Sequence, residues 1–540
     1  MFCCAFAATF ALSAHADMVT FPNADNSGDL SSDAAWDNVA RDATSDVTVS
    51  WYNQYNASKR TYTAKEDVSF ASLNLSSGQQ DLTGTFNMTE SKSGSASRTI
   101  TLSGSISNGV KKASATFLGG VWSIGGSFYQ HSENTFKVAD GAKMTFGGPY
   151  FALAGSTTLL VSGEGTSLSL PLVSFPASSY GGNALVVTNG ASVTLTEGAA
   201  YSSGSGTYIT RGAIAMNGIT SGGGSRKVSV SGEGSRLILS GVDTFAWVGG
   251  VSASGQHQLT VSYGGKFVST NASLYVSAMG TATNTVLVSG VGSSLVVTNI
   301  SLGHCTKGSA QYGKMCGNRL VIEDGATVQT LGTAFGLANN GNSYRSSVFI
   351  GHLSRGNTLL VDGTGSSLSV GGSLYMRGKQ NAVIVTNGTV SVAGTLWLCA
   401  MGYDGDIQSG NLCSNRLEIA GTTGAVSTTT GCTVNRESTL AFGVPDSGYG
   451  TGTIPLSVGT TLKVEDGSHI EISGIEERIK AMAEDETATL AVAGSAITIP
   501  DSVLEEANAA LPGKCRLYVD GKSLKLTLAK GGSGMMIFVR

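Results

Sequence analysis

Apolar and polar residues alternate on both sides of a glycine turn in many stretches of this chain. In NALVVTNGASVTL (183–195), Leu185 and Val187 precede the turn, and Val193 and Leu195 follow it. Alternation with a period of two is typical of a half-buried strand. The Asn-Gly pair between the two halves supplies the positive φ that a tight turn needs. Each such line therefore predicts two short strands whose apolar side chains share one face.

Related lines recur at intervals of roughly 24 to 46 residues, which is a repeat length typical of stacked architectures. They are TLLVSGEGTSLSL (158–170), KVSVSGEGSRLIL (227–239), HQLTVSYGGKFVS (257–269), NTVLVSGVGSSLVV (284–297), NRLVIEDGATVQT (318–330), NTLLVDGTGSSLSV (357–370), NAVIVTNGTVSV (381–392), NRLEIAGTTGAVST (415–428) and TLKVEDGSHIEI (461–472). A third short strand follows several of them: SLYVSAMG (273–280), SLGHC (301–305), SLYMRG (373–378) and TLWLCAMG (395–402).

Three short strands cannot bury their own apolar row or pair their own backbone, but the coils above and below can do both. The repeats therefore predict an all-β parallel β-helix over residues 101–473, and a β-sandwich array is the alternative. About 15 coils at a spacing of about 4.8 Å give a rod of about 70 Å. Many lines open with an asparagine whose amide we expect to hydrogen bond from coil to coil. These are Asn183, Asn284, Asn318, Asn357, Asn381 and Asn415.

The two ends differ from the repeats. Residues 17–100 are richer in charge and in aromatic side chains, which predicts an N-terminal β cap with early coils. Residues 474–540 predict a small α+β C-terminal cap. Within it, GIEERIKAMAEDE (474–486) and PDSVLEEANAALPG (500–513) have helical spacing, and CRLYVDG and KSLKLTL form strands.

Residues 1–16, MFCCAFAATFALSAHA, are apolar and uncharged and end with alanines at positions 14 and 16. This pattern predicts a signal peptide, and a short buried strand or helix is the alternative. Export permits disulfides. We expect them at Cys305–Cys316 and Cys399–Cys413, which flank two aligned loops, and four free thiols are the alternative. Two further cysteines have no evident partner, Cys432 and Cys515.

The pairing of VSGEGTSLSL or VSGVGSSLVV with SLYVSAMG and LTVSYGGKFVS resembles a repeat of bacterial autotransporter passengers and exosortase-associated (PEP-CTERM) surface proteins. The stretch GDLSSDAAWDN (28–38) resembles the opening strand of such passengers. The resemblance covers roughly residues 150–470. It implies a right-handed parallel β-helix that is secreted or displayed on the outer surface of a bacterium, and it implies nothing about activity.

Charge and motifs narrow the function classes. The formal net charge of −4 gives no basic face for nucleic acid. The sequence contains no run of 18 apolar residues, so we expect no transmembrane segment in the mature chain. No phosphate loop or GxSxG motif occurs, and we expect no cofactor and no metal site.

Carboxylates are the residues on which an enzymatic β-helix would depend, since polysaccharide cleavage needs two or three at a set separation. Glu323–Asp324 and Glu465–Asp466 lie in EDG turns at equivalent positions of the repeat. This equivalence indicates that the acids serve to form turns rather than to catalyse a reaction. Glu164 and Glu233 also repeat each other. We therefore predict no catalytic residue. The alternative is a polysaccharide-active lyase or glycoside hydrolase whose acids converge only in the folded chain.

Aromatic residues are the candidate ligand-binding groups. Tyr275, Tyr375 and Trp397 occupy matching places in the third strand, so they form one row along the rod. Such a row can stack on a polysaccharide, and a ladder that packs only on itself is the alternative. The expected function is a non-catalytic rod with a structural, adhesive or binding role. Its expected partner is an extracellular polysaccharide or a host or neighbouring cell surface.

Overall fold

A computed structural model describes most of the repeat region and the C-terminal segment. The described residues are 18–20, 28–29, 46–50, 59–64, 66–76, 83–88, 98–108, 114–130, 135–148, 151–153, 156–175, 182–196, 200–201, 210–211, 214–216, 225–241, 245–249, 256–276, 283–303, 317–332, 348–351, 354–398 and 414–529. The predicted signal peptide and the four cysteines of the two predicted disulfides lie outside these residues.

The chain folds as the predicted parallel β-helix, in which successive coils add one strand to each of three long sheets. Sheet A has 17 strands: β1 Met18–Thr20, β3 Asp46–Ser50, β6 Ser72–Ser76, β9 Ile106–Asn108, β12 Phe128–Gln130, β15 Phe151–Leu153, β18 Val173–Ser174, β23 Ile214–Met216, β26 Phe245–Val248, β29 Ser273–Val276, β32 Ile300–Leu302, β35 Val348–Ile350, β38 Leu374–Met376, β41 Leu396–Leu398, β44 Cys432–Val434, β47 Thr461–Val464 and β50 Ala496–Thr498.

Sheet B has 16 strands: β2 Gly28–Asp29, β4 Lys59–Thr63, β7 Thr83–Met88, β10 Ser114–Gly119, β13 Thr135–Ala139, β16 Thr158–Ser162, β19 Ala184–Thr188, β24 Lys227–Ser231, β27 Gln258–Ser262, β30 Thr285–Ser289, β33 Arg319–Glu323, β36 Thr358–Asp362, β39 Ala382–Thr386, β42 Arg416–Ala420, β45 Thr439–Gly443 and β48 His469–Ser473. A separate two-stranded hairpin joins β21 Ala200–Tyr201 and β22 Thr210–Arg211.

Sheet C contains β5 Val68–Phe70, β8 Thr99–Leu102, β11 Val121–Ile124, β14 Lys143–Phe146, β17 Ser167–Leu170, β20 Ser192–Leu195, β25 Arg236–Leu239, β28 Lys266–Ser269, β31 Ser294–Val297, β34 Thr327–Thr330, β37 Ser367–Val370, β40 Thr389–Val392, β43 Ala425–Thr428, β46 Leu456–Val458, β49 Glu486–Ala493, β51 Arg516–Asp520 and β52 Ser523–Leu528. Parallel pairing already joins β3 to β6, β4 to β7 and β5 to β8, so coils begin within residues 17–100.

The period-two pattern sets the core. Leu185, Val187, Val193 and Leu195 are all fully buried, as predicted, while the residues between them face outward. Early coils fill the interior with stacked aromatic rings. Phe117, for example, lies with its ring centroid 4.9 Å from that of Phe86 and 4.8 Å from that of Phe136. Later coils use mostly Leu, Val and Ile at the inward positions.

The predicted asparagine ladder is confirmed. The side-chain amide of Asn318 donates to Asn357 Oδ1 at 2.9 Å, and Asn357 donates to Asn381 Oδ1 at 2.9 Å. Asn284 donates to Asn318 at 3.3 Å, and Asn381 donates to Asn415 at 3.2 Å. All five side chains are buried, so each amide needs a partner; the next coil supplies it for the first four, and Asn415 donates to the Gly378 carbonyl at 3.0 Å.

Two residues interrupt this ladder. Arg226 and His257 occupy the coils between Asn183 and Asn284, and both are buried. The backbone N–H of Arg226 donates to His257 Nδ1 at 3.2 Å, and the backbone N–H of His257 donates to Asn284 Oδ1 at 2.9 Å. His257 thus accepts a hydrogen bond where the other coils use an asparagine oxygen.

The turns between sheets B and C alternate between three and four residues from β13 to β37, which the sequence lines did not predict. Each four-residue turn ends in a buried hydroxyl that accepts an N–H from a glycine of the preceding three-residue turn, at 3.0 Å in every case. The pairs are Gly141 with Thr166, Gly190 with Ser235, Gly264 with Ser293, and Gly325 with Ser366. Neighbouring coils are therefore joined as pairs at this corner.

The C-terminal segment closes the last coil. Both predicted helices are present, as α1 Ile475–Ala481 and α2 Asp501–Ala509, and both predicted strands are present as β51 and β52. Two further strands, β49 and β50, extend sheets C and A beyond Ser473. Helix α2 packs against β48, the last strand of sheet B, and so covers an edge that would otherwise invite aggregation.

Candidate ligand-binding face

Backbone register aligns the predicted aromatic residues in one outward row of sheet A. Tyr275 pairs with Ser301, Ser301 with Phe349, Phe349 with Tyr375, and Tyr375 with Trp397. The flanking residues of each strand point into the core; Leu396 and Leu398, for example, are almost completely buried. The row therefore lies on the outside of the rod, opposite the inward apolar row.

The rings of this row contact one another. The ring centroids of Phe349 and Tyr375 lie 5.8 Å apart with an interplanar angle of 26°, and those of Tyr375 and Trp397 lie 5.4 Å apart at 85°. These are the stacked and edge-to-face geometries that aromatic pairs prefer. Packing between coils is thus one role of the row. It leaves Tyr375 and Trp397 half-buried, so part of each ring remains on the surface.

The other end of the row is covered. Tyr275 is 8% exposed, and Ser301 and Phe349 are buried. Burial raises the pKa of the Tyr275 phenol above its ordinary value, so the group stays neutral. Among the described residues, the Ser301 hydroxyl oxygen has no hydrogen-bond partner. Of the three predicted ligand-binding residues, Tyr375 and Trp397 present surface, and Tyr275 does not.

Phe349 is the member of the row that the sequence lines missed. It lies in VFIGHL, which follows the long segment 333–347, and that segment obscures the spacing from the preceding line. Its position in the sequence could have identified it. In other coils a short apolar third strand also comes shortly before a repeat that begins with asparagine, and β35 occupies that place.

The acidic residues singled out in the sequence lie near two corners of the rod, and one equivalence drawn between them from the sequence is wrong. Asp324 lies in the turn from sheet B to sheet C, whereas Glu465–Asp466 lies between β47 of sheet A and β48 of sheet B. The line TLKVEDGSHIEI therefore occupies a different register from NRLVIEDGATVQT. Glu164 and Glu233 do take matching places, in four-residue turns on either side of Asn189.

Cysteine and metal chemistry have few candidates in the described part of the chain. Cys432 and Cys515 are free and buried there. Burial raises the pKa of the Cys432 thiol to about 12, so its reactive thiolate is suppressed. The described ranges contain no cluster of three or more His, Cys, Asp or Glu side chains that could hold a metal ion.

A concave region lies between β48 and α2. It has a volume of about 270 Å³, and its polar lining includes Arg416, His469, Glu471 and Glu506. Each of these four side chains already has a partner. Arg416 contacts Glu471 at 2.5 Å, and His469 Nδ1 lies 2.8 Å from Glu506 Oε1. The first pair joins two strands of sheet B, β42 and β48, and the second joins β48 to helix α2 of the cap, so we assign this region a structural role.

The chain matches no protein-family model, no curated protein and no solved structure with which it was compared. Neither helix in the part of the chain that the structure describes has the length and apolar character needed to cross a membrane.

Proposed function

We propose that this chain is a non-catalytic β-helical rod, exported by its N-terminal segment to the outside of a bacterial cell, with an adhesive or binding role. The observation that carries the proposal is the outward aromatic row of sheet A, which ends in the half-buried pair Tyr375 and Trp397. The stacked coils hold this pair rigidly, because in-register pairing fixes β38 and β41 on both sides.

An extracellular polysaccharide is the partner that suits this pair. Sugar rings offer C–H faces that pack on aromatic rings, and tyrosine and tryptophan also carry polar groups for sugar hydroxyls. Consecutive aromatic residues along the rod axis would contact consecutive sugar units. The same surface suits adhesion to a neighbouring cell that carries such a polysaccharide.

The distribution of acids supports binding over cleavage. Glu164 and Glu233 belong to turns two coils apart, and Asp466 is occupied by a hydrogen bond from Ser502 at 2.8 Å. Two carboxylates that share one substrate bond must face each other across a cleft. Glu164 and Glu233 lie in turns between sheets B and C, and Asp466 lies in a contact with the cap.

The test is retention of the full chain on immobilised neutral and acidic polysaccharides, compared among single variants. Trp397→Ala and Tyr375→Ala should each weaken retention about threefold to tenfold, the loss expected for one aromatic contact. Tyr375→Phe should retain most of the binding, because it keeps the ring.

Tyr263→Ala is the matched control. Tyr263 is 79% exposed, and it lies in the turn between sheets B and C, away from the aromatic row of sheet A. Its loss should leave retention unchanged. Equal weakening by all three alanine variants, or by none of them, would overturn the assignment of this face as the binding surface.

A further inference from the structure

A continuous apolar row lies on the outward face of sheet B. Backbone register places Leu287, Val321, Leu360 and Ile384 at the centre of four successive strands. Val321 is 7% exposed, and the other three side chains are half-buried. Together they form a partly exposed apolar patch, and apolar patches on an outward face commonly mark association sites.

Charged residues flank this apolar row, with a basic residue on one side and acidic residues on the other. At the start of the strands, Arg319 is exposed beside Val321. At the end of the strands, Glu323 and Asp362 lie on neighbouring strands, one position beyond the registered pair Ile322–Val361. Like charges placed side by side in a sheet are destabilising. Within the described ranges, none of these three residues forms an ion pair, so a cation from outside would relieve the repulsion.

We propose that this face binds the same face of a second copy, with the two rods parallel. A two-fold axis along the rod reverses the strand direction across the interface, so the start of each strand meets the end of the same strand in the partner. Arg319 then lies opposite Glu323 of the second copy and next to its Asp362. The apolar rows meet at the centre, about 10 Å apart as packed sheets are.

The antiparallel arrangement lacks this complementarity. A two-fold axis along the strands, placed at the centre of the apolar row, puts Glu323 opposite Asp362 of the second copy. Symmetry repeats that contact, so two acid–acid pairs form and Arg319 meets only the uncharged Thr358. Like charges facing each other across an interface oppose association. The charges therefore select the parallel orientation.

The face is large enough for a stable pair. The eight strands from β16 to β39 are each five residues long, and at about 4.8 Å per strand and about 3.3 Å per residue they cover about 600 Å² in plane. Standard interfaces bury about 800 Å² of accessible surface per partner. Because side chains protrude from the sheet, the accessible area of its face is larger than its planar area. The area available on this face is therefore comparable to that of a standard interface.

The decisive experiment uses two charge reversals, R319E and E323R, and sedimentation equilibrium of the full chain. Wild type should be a dimer. Each reversal alone places two like-charged pairs in a parallel dimer and should raise the dissociation constant about tenfold or more. An equimolar mixture should regain the wild-type affinity. In that heterodimer the introduced glutamate of one variant meets the introduced arginine of the other, and the original pair of Arg319 with Glu323 is kept on the second side.

Two results would overturn the proposal: a monomeric wild type, or weakened single variants whose mixture does not recover. Leu360→Lys provides an independent check of the apolar row, with Ser369→Lys on the outward face of sheet C in the same coil as its control. Far-ultraviolet circular dichroism establishes that each variant is folded. Loss of the dimer in both lysine variants would also contradict the assignment of this face.

Discussion

The hydroxyl of Ser235 accepts the backbone N–H of Gly190 at 3.0 Å, although the two residues are 45 positions apart in the sequence. The same hydroxyl donates to the carbonyl of Ser231 at 2.8 Å. Ser235 is fully buried and Gly190 is half-buried, so the hydrogen bond between them is partly shielded from water. Three other coil pairs repeat the first contact, which makes it a regular joint of this rod.

Replacing Ser235 with alanine should lower the free energy of unfolding by about 0.5–1.5 kcal/mol, because it removes the acceptor of the Gly190 N–H and the donor to the Ser231 carbonyl. Ser235→Thr should be close to wild type, since Thr166 fills the same position in another coil pair. Ser229→Ala, on the outward face of β24, is the matched control and should have little effect. Urea unfolding measures all three. Equal stability of Ser235→Ala and Ser229→Ala would contradict the role of the joint.

His257 should make the stability of the rod depend on pH. Burial, and then the charge of Arg226, lower the pKa of His257 to about 4 from its ordinary 6.5. Between these values the unfolded chain binds a proton that the folded chain does not, so stability falls as pH decreases from 6.5 to 4 and is unaffected by this group above 6.5. The full loss is about 3 kcal/mol.

His257→Asn should remove that part of the pH dependence and place an amide oxygen where the other coils have one. The measurement is urea unfolding of wild type and variant from pH 4 to pH 8, and the difference between them isolates His257 from the carboxylates. A constant difference across the range would show that His257 does not titrate in this way.

Tyr263 should be a position at which stability can be gained. It has φ 52°, in the left-handed region, and it is 79% exposed. Matching turn positions carry Asp140, Asn189, Asp324 and Asn387, residue types that tolerate this conformation. Tyr263→Asn should therefore raise the free energy of unfolding by about 0.5–1 kcal/mol, whereas Tyr263→Phe should not change it. Thermal unfolding would reveal the opposite order if the tyrosine ring were stabilising.

Cys432 should not react in the folded protein. Its side chain is fully buried in β44, and burial raises the pKa of its thiol to about 12. A maleimide should modify this cysteine only after denaturation, as followed by mass spectrometry of the peptide that contains it. Rapid labelling of Cys432 in the native chain would mean that this coil opens.

Much of this architecture follows from the sequence because each coil must meet the same physical demands. Inward alternation placed Leu185 and Val187 in the core, and the Asn-opening lines predicted the amide ladder. Substitution within the ladder was not predictable, because RKVSV and HQLTV look like ordinary strands once the asparagine is absent. Only pairing between coils shows that Arg226 and His257 take its place.

The assignment of each repeat to a pair of sheets was the other feature that the sequence did not predict. A strand, an EDG turn and a second strand occur at two different corners of the rod, so TLKVEDGSHIEI fitted the repeat while belonging to sheets A and B. The turn alternation was hidden for a related reason, since turns of both lengths contain glycine and differ by a single residue. The aromatic row was visible from Tyr275, Tyr375 and Trp397, but the extent to which each ring is covered depends on neighbouring segments.

The most direct test of the proposed non-catalytic binding role applies the wild-type chain to neutral and acidic polysaccharides. Retention of the chain and release of cleavage products are measured in the same samples. A non-catalytic binding rod predicts retention on at least one polysaccharide, with no new reducing ends and no unsaturated products. Release of either product would contradict that proposal and indicate a polysaccharide-active enzyme instead.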